Sequence, residues 1–282
     1  MAPVRIVTDS ACDLPKALLA EHRIEVVPLT IRFGGDEFTD GVDLSTAEFW
    51  KRCATSARLP ETAAPSPGAF QAAYTRLADE GADGVVCVTM SSEISATHQS
   101  AVLGADAVKD RMDVRVVDSR FVTAAEGLLA LEAATLAAAG ASVDEVAAHT
   151  VARVPDAHLV GTLDTMDHLV KSGRVSGAKA LFGSMLSVKP ILTVRDGMVV
   201  EGGRQRTRAR ALEYLATRTE AAAPLDWLAI GGGDADDLGI VVERLKGVTP
   251  ANPVIVTEIG PVVGTHAGPG VVGVCWLAAE RS

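Results

Sequence analysis

The chain has 282 residues, enough for two ordinary domains; 48% of them are hydrophobic and only 4% are aromatic. A core or ligand cavity built from this sequence is therefore lined mainly by aliphatic side chains. The net charge of −10 and the isoelectric point near 5.1 argue against non-specific binding to nucleic acid or to an anionic membrane surface. The four cysteines include no C-x-x-C pair, which argues against a structural zinc site and is typical of a reducing compartment.

The first ten residues, MAPVRIVTDS, begin a strand pattern and lack the charged and then apolar segments of a signal peptide. The most apolar helical stretch, residues 127–141, is too short to span a bilayer and contains Glu132. It is predicted to be a helix buried between protein layers. We expect a soluble, cytoplasmic protein without stable membrane insertion.

The first half of the chain alternates short apolar runs with amphipathic helical patterns. Strands are predicted at 4–9, 24–33, 84–91 and 114–119. Helices are predicted at 13–22, 45–53, 66–81, 95–110, 127–141 and 142–154, with Asp13, Ser45, Ser66 and Ser142 as N-caps. Strands separated by helices indicate right-handed β-α-β units and a parallel sheet.

Near Pro155 the pattern changes. Asp196-Gly197 between two apolar runs is the strongest short-range signal for a β-hairpin. Later helices are predicted at 206–219 and 235–247, and later strands at 226–231, 252–260 and 271–279. The predicted fold is α/β with two domains: an N-terminal three-layer α/β/α domain with a parallel sheet (residues 1–155) and a C-terminal α/β domain with a mixed sheet (156–282).

Two glycine-rich segments stand out in the second half. Residues 259–270, IGPVVGTHAGPG, hold His266 among four glycines and two prolines, a density of backbone breakers that predicts a loop. Residues 230–237, IGGGDADD, do not match the G-x-G-x-x-G fingerprint and are predicted to form a tight turn.

Hydroxyl groups follow the predicted strands, where ligands bind in parallel α/β sheets. These residues are Thr8, Ser10, Ser91, Ser92, Ser95, Thr97 and Ser119, with Thr62 and Ser66 on a loop before a helix. Hydroxyls beside helix N-termini suit an anionic head group such as a carboxylate or phosphate. Helix capping is the alternative for each of them, and Ser66 is interpreted as a cap only.

Signals for catalysis are few. The chain has no G-x-S-x-G elbow, H-E-x-x-H motif or P-loop, and every histidine except His266 is interpreted as an ordinary surface or core residue. Cys12 lacks a histidine in a recognisable partner motif and is interpreted as a packed thiol. The arginine run at 204–210 is either a solvated face or a docking patch for an acidic partner.

Seven motifs occur in order along nearly the whole chain. They are TDSACDLP at 8–15, TAAPSPGAF at 62–70, SSEISATHQSA at 91–101, DSRFVTAAEG at 118–127, SGRVSG at 172–177, VKPIL at 188–192 and GPVVGTHAGPG at 260–270. Together they resemble the DegV family, the bacterial fatty-acid-binding proteins also called FakB. GTHAGPG is strongly specific, and the ordered set is hard to obtain by chance.

The resemblance implies a two-domain DegV-like fold that holds one long-chain fatty acid in a tunnel between the domains. It also implies that the carboxyl group is presented to a separate ATP-dependent fatty acid kinase, which makes an acyl-phosphate for phospholipid synthesis. The chain itself would then be a carrier with neither enzymatic activity nor a cofactor or metal. We expect a monomer.

By the same resemblance, the carboxylate is bound by Thr62, Ser95 and His266. The residues predicted to neighbour the head group are Ser10, Ala96, Ser119, Arg174 and Thr265. The kinase-contacting arginine falls at Arg204 or Arg206, with a slight preference for Arg206. The chain departs from the common family pattern at Ala63, Ala64 and Ala96, so it lacks polar side chains that the family commonly has beside the head-group site.

A carboxylate removed from water must keep its hydrogen bonds. Two hydroxyls and one imidazole can supply them, so His266 is predicted to be a positioning donor rather than a base. Two alternatives stay open. One is a small-molecule phosphotransferase or hydrolase using His266 as acid–base, which needs a short polar pocket instead of a long apolar tunnel. The other is an interaction protein whose hydroxyls are only caps.

Overall fold

The computed structural model of the chain describes residues 4–56, 58–175 and 188–280. Its strands are β1 (Val4–Asp9), β2 (Glu25–Val27), β3 (Thr30–Phe33), β4 (Asp36–Thr39), β5 (Glu61–Ala63), β6 (Gly84–Thr89), β7 (Asp113–Asp118), β8 (Ala157–Thr162), β9 (Lys189–Arg195), β10 (Met198–Gln205), β11 (Leu225–Gly233), β12 (Ile255–Glu258) and β13 (Val271–Ala278). Its helices are α1 (Lys16–Glu21), α2 (Thr46–Thr55), α3 (Pro67–Asp79), α4 (Thr97–Asp106), α5 (Ala124–Ala138), α6 (Val143–Arg153), α7 (Asp167–Ser172), α8 (Arg208–Glu220), α9 (Leu238–Arg244) and α10 (Pro261–Ala267).

The first sheet is parallel and has four strands in the order β2-β1-β6-β7. Helices α3 and α4 pack on one face, and α5 and α6 cover the other. Most of α5 is buried because it lies between this sheet and strands β11 and β13 of a second sheet. The prediction of a helix buried between protein layers is confirmed.

The second sheet is mixed and has the order β10-β9-β8-β13-β11-β12. All its pairs are antiparallel except β11 with β12. Asp196 and Gly197, both with positive φ, form the predicted hairpin turn between β9 and β10. The two-domain α/β fold class with a parallel and a mixed sheet is confirmed; the boundary at 155/156 stays a prediction.

A third, three-stranded antiparallel sheet with the order β4-β3-β5 was not predicted. The single strand expected at 24–33 is two strands in different sheets, separated at Pro28. Proline has no backbone N–H to donate to a sheet, so the chain leaves the parallel sheet here. The new sheet matters for the site because β5 carries Thr62.

Two local expectations were wrong. Asp13 does not cap α1, which begins at Lys16 with Pro15 at the N-cap position; Asp13 hydrogen-bonds to distant segments instead. The three glycines at 231–233 belong to β11 rather than to a turn. A Cβ on Gly233 would lie 2.4 Å from Cζ2 of Trp50, so close packing explains that glycine.

The other N-caps agree with the prediction. Ser45, Ser66 and Ser142 each accept a hydrogen bond from the backbone N–H three residues later, and Ser142 forms a full capping box with Glu145. Across the described ranges, no helix combines the length and the apolar character that crossing a membrane requires.

Candidate ligand-binding site

A cavity of about 590 Å³ lies between the six-stranded sheet and the carboxyl ends of the parallel strands. Strands β8, β9, β10 and β13 supply one wall, and residues following β2, β6 and β7 supply another. Helices α7 and α10 contribute to the lining as well. Its larger apolar residues are Leu29, Met90, Ile94, Val122, Leu159, Leu163, Leu169, Leu192, Val194, Val199, Ile259, Val262, Val263 and Val271. This size and lining suit a small ligand with a long apolar part.

Two glycines form part of the cavity wall on the side of the six-stranded sheet. Gly161 on β8 and Gly273 on β13 are direct cross-strand partners, and both line the cavity. A Cβ added at Gly273 would meet only the Val160 carbonyl oxygen, at 3.8 Å. The cavity reaches bare backbone at these two positions because glycine has no side chain.

The polar group that defines the site is a pair from distant parts of the chain. Oγ1 of Thr62, on β5, lies 2.9 Å from Nε2 of His266, on α10, and both residues line the cavity. This hydrogen bond joins the small sheet to the segment between the last two strands. Two of the three predicted carboxylate ligands are thus in contact.

The segment that carries His266 is a two-turn helix, so the predicted loop was wrong. Pro261 occupies the first helical position, where no N–H is needed, and Gly268 ends the helix with φ of 78°. Gly264 lies inside α10, where an added Cβ would be 2.7 Å from ring atoms of Phe49 and Trp50. The close packing of these rings requires a glycine at this position. The glycines therefore allow close packing of a helix.

Burial, together with the positive charge of Arg174 and the nearby His168, lowers the pKa of His266 from 6.5 to about 4. The imidazole is therefore neutral at neutral pH. Its Nδ1 is buried and has no hydrogen-bond partner among the described residues. Nδ1 of His168 lies 3.2 Å from the Thr265 carbonyl oxygen, which holds that ring beside α10.

Ser95, Ala96 and Arg174 also line the cavity. Oγ of Ser95 lies 2.8 Å from Oγ1 of Thr97 and accepts the Thr97 backbone N–H at the start of α4. Ala96 is the N-cap residue of that helix and offers no side-chain cap. Arg174 is exposed, and it donates from Nη1 to the Ser172 carbonyl oxygen (2.5 Å).

Three residues predicted to neighbour the head group, Ser10, Ser119 and Thr265, do not line this cavity. Ser10 accepts the Leu29 N–H, and Ser119 exchanges hydrogen bonds with the backbone of Phe121. Thr265 donates to the Pro261 carbonyl oxygen within α10. The hydroxyls of Ser119 and Thr265 thus hold local structure, and that of Ser10 joins its segment to the residue that follows Pro28.

Two polar residues of the cavity wall, Glu93 and Thr123, were not singled out from the sequence. Both lie in quoted motifs, just after β6 and β7, so their position beyond the strand ends was the available signal. Thr123 has φ of 59°, a left-handed conformation rare for a β-branched residue.

The arginine run is divided among different roles. Arg204, on β10, pairs with Glu201, and Arg208 forms two hydrogen bonds with Asp237, each 2.8 Å. Arg206 is exposed between β10 and α8. Cys12 is buried, and burial raises its thiol pKa, which agrees with a packed thiol.

The molecule is thus an α/β protein with an aliphatic cavity and a small hydrogen-bonding group at the wall. A family model described as "Uncharacterised protein, DegV family" matches residues 3–279. The chain belongs to the DegV family.

Relatives and solved structures agree with this assignment. A DegV domain-containing protein of Deinococcus radiodurans is 40% identical over 278 residues, covering 96% of this chain and 97% of its own. A fatty-acid-binding DegV family protein from Thermus thermophilus has a TM-score of 0.88 at 30% identity, covering 98% of this chain and all of its own. A stearic-acid-binding protein from Eubacterium ventriosum has a TM-score of 0.86 at 26% identity, covering 98% of each chain.

Proposed function

We propose that this protein binds one long-chain fatty acid, with the acyl chain in the aliphatic cavity and the carboxylate at Thr62 and Ser95. The observation that carries the proposal is the Thr62–His266 hydrogen bond at the wall of a cavity lined mainly by aliphatic side chains. Fatty acid binding by structurally similar proteins, one of them described as a DegV family protein, supports it.

The two parts of the ligand have different roles in this proposal. Each buried methylene contributes about 0.8 kcal/mol, so the acyl chain dominates affinity. The carboxylate fixes orientation because a charged group out of water needs hydrogen-bond donors. Such a division accounts for an aliphatic cavity with few polar residues.

A neutral His266 can act through Thr62. If Nε2–H donates to Oγ1 of Thr62, the threonine hydroxyl hydrogen is free to donate to the carboxylate. Ser95 supplies a second hydroxyl, and the exposed guanidinium of Arg174 adds a positive charge at the cavity. A histidine with a pKa of about 4 is a weak base at neutral pH, so positioning is favoured over acid–base catalysis.

We further propose that the protein is a cytoplasmic, monomeric carrier that presents the carboxylate to a separate ATP-dependent fatty acid kinase. The kinase would form an acyl-phosphate for phospholipid synthesis, and the carrier would need no cofactor or enzymatic activity. The family resemblance supports this role, and Arg204 and Arg206 are the proposed docking residues. Arg206→Glu should lower acyl-phosphate formation with the kinase, whereas Arg218→Glu, on exposed α8 surface, should not.

The test of fatty acid binding needs no kinase. The protein is purified under mild conditions, examined by native mass spectrometry, and then heated with added palmitate or oleate. A bound fatty acid or a rise in melting temperature is expected, with a smaller rise for the alcohol of the same chain length, since it lacks the carboxylate. If no lipid co-purifies and neither acid changes the melting temperature, the proposal fails.

A further inference from the structure

The peptide group between Ile259 and Gly260 is held on both sides where α10 begins. Its carbonyl oxygen accepts a hydrogen bond from Nε1–H of Trp50 (3.2 Å), and its N–H donates to Oδ1 of Asp13 (2.8 Å). The N–H of Ile259 donates in turn to the Gly232 carbonyl oxygen (2.9 Å). The start of the helix that carries the site histidine is therefore fixed by residues from distant parts of the chain.

Asp13 joins three segments through hydrogen bonds. Besides the bond to Gly260, its Oδ2 accepts the hydroxyl of Thr123 (2.6 Å), and its backbone carbonyl accepts the hydroxyl of Thr257. The residue is 8% exposed. Since both carboxyl oxygens are bonded and buried, displacing either partner would leave a buried polar atom without a hydrogen bond.

Both side-chain partners of Asp13 adjoin the ligand cavity. Gly260 is the N-cap of α10, which places His266 at the cavity, and Thr123 is part of the cavity wall. Asp13 itself is outside that lining and instead lines a separate groove together with Gly260. Any effect of Asp13 on a ligand in the cavity is therefore indirect.

We propose that Asp13 is a positioning residue for the carboxylate site. By holding Gly260 and Thr123, it sets where α10 places His266 against Thr62. The consequence for ligand affinity rests on the proposed function, whereas the placement of the histidine ring can be measured without a ligand. A result that refutes the positioning role of Asp13 is therefore distinguishable from a result that refutes fatty acid binding.

Two substitutions separate hydrogen bonding from local backbone effects. Asp13 has φ of 48°, a conformation that glycine adopts freely and asparagine tolerates. Asp13→Gly removes the acceptor without backbone strain, and Asp13→Asn keeps an oxygen for Gly260 and a donor for Thr123. Asp196→Gly is the matched control, a left-handed aspartate in the β9–β10 turn with φ of 50°.

The readouts are the ¹⁵N signals of the His266 ring in the ligand-free protein and the affinity for palmitate. Asp13→Gly is expected to shift the ring signals and to lower affinity about tenfold, while Asp13→Asn restores both and Asp196→Gly changes neither. If no lipid co-purifies with the wild-type protein and it binds neither palmitate nor oleate, the proposed function is refuted, but the ring signals still test the positioning role.

Unchanged ring signals in a folded Asp13→Gly variant would overturn the proposal, and so would equal losses in Asp13→Gly and Asp13→Asn. Should Asp13→Gly not fold, Trp50→Phe tests the same peptide group from its carbonyl side. If Trp50→Phe keeps the ring signals and the palmitate affinity of the wild type, the Ile259–Gly260 peptide group does not position the histidine.

Discussion

Oγ1 of Thr62 lies 2.9 Å from Nε2 of His266, although 204 residues separate the two in sequence. The threonine lies on β5 of the three-stranded sheet, and the histidine lies on α10, just before β13. Their contact makes the hydroxyl and the imidazole one hydrogen-bonding unit at the cavity wall.

Thr62→Val should weaken fatty acid binding. The substitution keeps the shape of the side chain but removes the hydroxyl between His266 and the proposed carboxylate. We expect about a tenfold loss of palmitate affinity, corresponding to about 1.4 kcal/mol, measured by calorimetry. Thr217→Val, on the exposed side of α8, is the matched control. Equal affinities in the two variants would exclude Thr62 from head-group binding.

The pKa of His266 should be measurable by following its ring signals with pH. Because burial lowers it to about 4, the folded protein resists protonation between about pH 6.5 and 4, where the unfolded chain gains the proton. This residue's contribution to stability is therefore complete above about pH 6.5 and falls as the pH drops toward 4. His266→Asn assigns the signal. A midpoint near 6.5 would contradict the neutral ring.

Gly273→Leu should shift binding toward shorter fatty acids. The new side chain would enter the cavity from the sheet, where the backbone is now bare. Each methylene that loses its place costs about 0.8 kcal/mol, so long acids lose more affinity than short ones. Gly239→Leu, with no neighbour within 4 Å of an added Cβ, serves as the control for the substitution itself. An unchanged chain-length profile would place the acyl chain elsewhere.

Glu126→Gln should change how stability depends on pH. Burial, and then the carboxyl of Asp9, raise the pKa of Glu126 well above its ordinary value of 4.5. The folded protein keeps a proton that the unfolded chain releases above about pH 4.5, so this group's contribution falls as pH rises. Glutamine has no proton to release.

The unfolding free energy of Glu126→Gln, relative to the wild type, should accordingly increase between about pH 5 and pH 8. Urea titrations at several pH values measure this difference. Glu213→Gln, at an exposed position on α8, provides the comparison. Parallel pH profiles for Glu126→Gln and the wild type would show that Glu126 is ionised in the folded protein.

Local sequence patterns predicted much of the fold because their causes are local. Caps such as Ser66 and Ser142 bond to the next helical turn, and Asp196-Gly197 needs only its own positive φ angles. Asp13 has the same local signature as a cap, yet its partners are 110 and 247 residues away. No residue close to Asp13 in the sequence indicates such long-range hydrogen bonds.

The helix at 261–267 was missed for a similar reason. Gly264 weakens a helix by propensity, but here it allows α10 to lie against Phe49 and Trp50. The motif resemblance indicated Thr62, Ser95 and His266, and the structure brings all three to one cavity. The three-stranded sheet that carries Thr62 was not predicted from the sequence because its strands have only three or four residues.

The last strand of the chain, β13, lies in the interior of the six-stranded sheet, between β8 and β11. During synthesis, β8 and β11 therefore emerge before the strand that joins them. Val271 and Gly273 of the cavity wall arrive with that strand. The cavity wall therefore cannot close until β13 has inserted between β8 and β11, whatever order the other elements fold in.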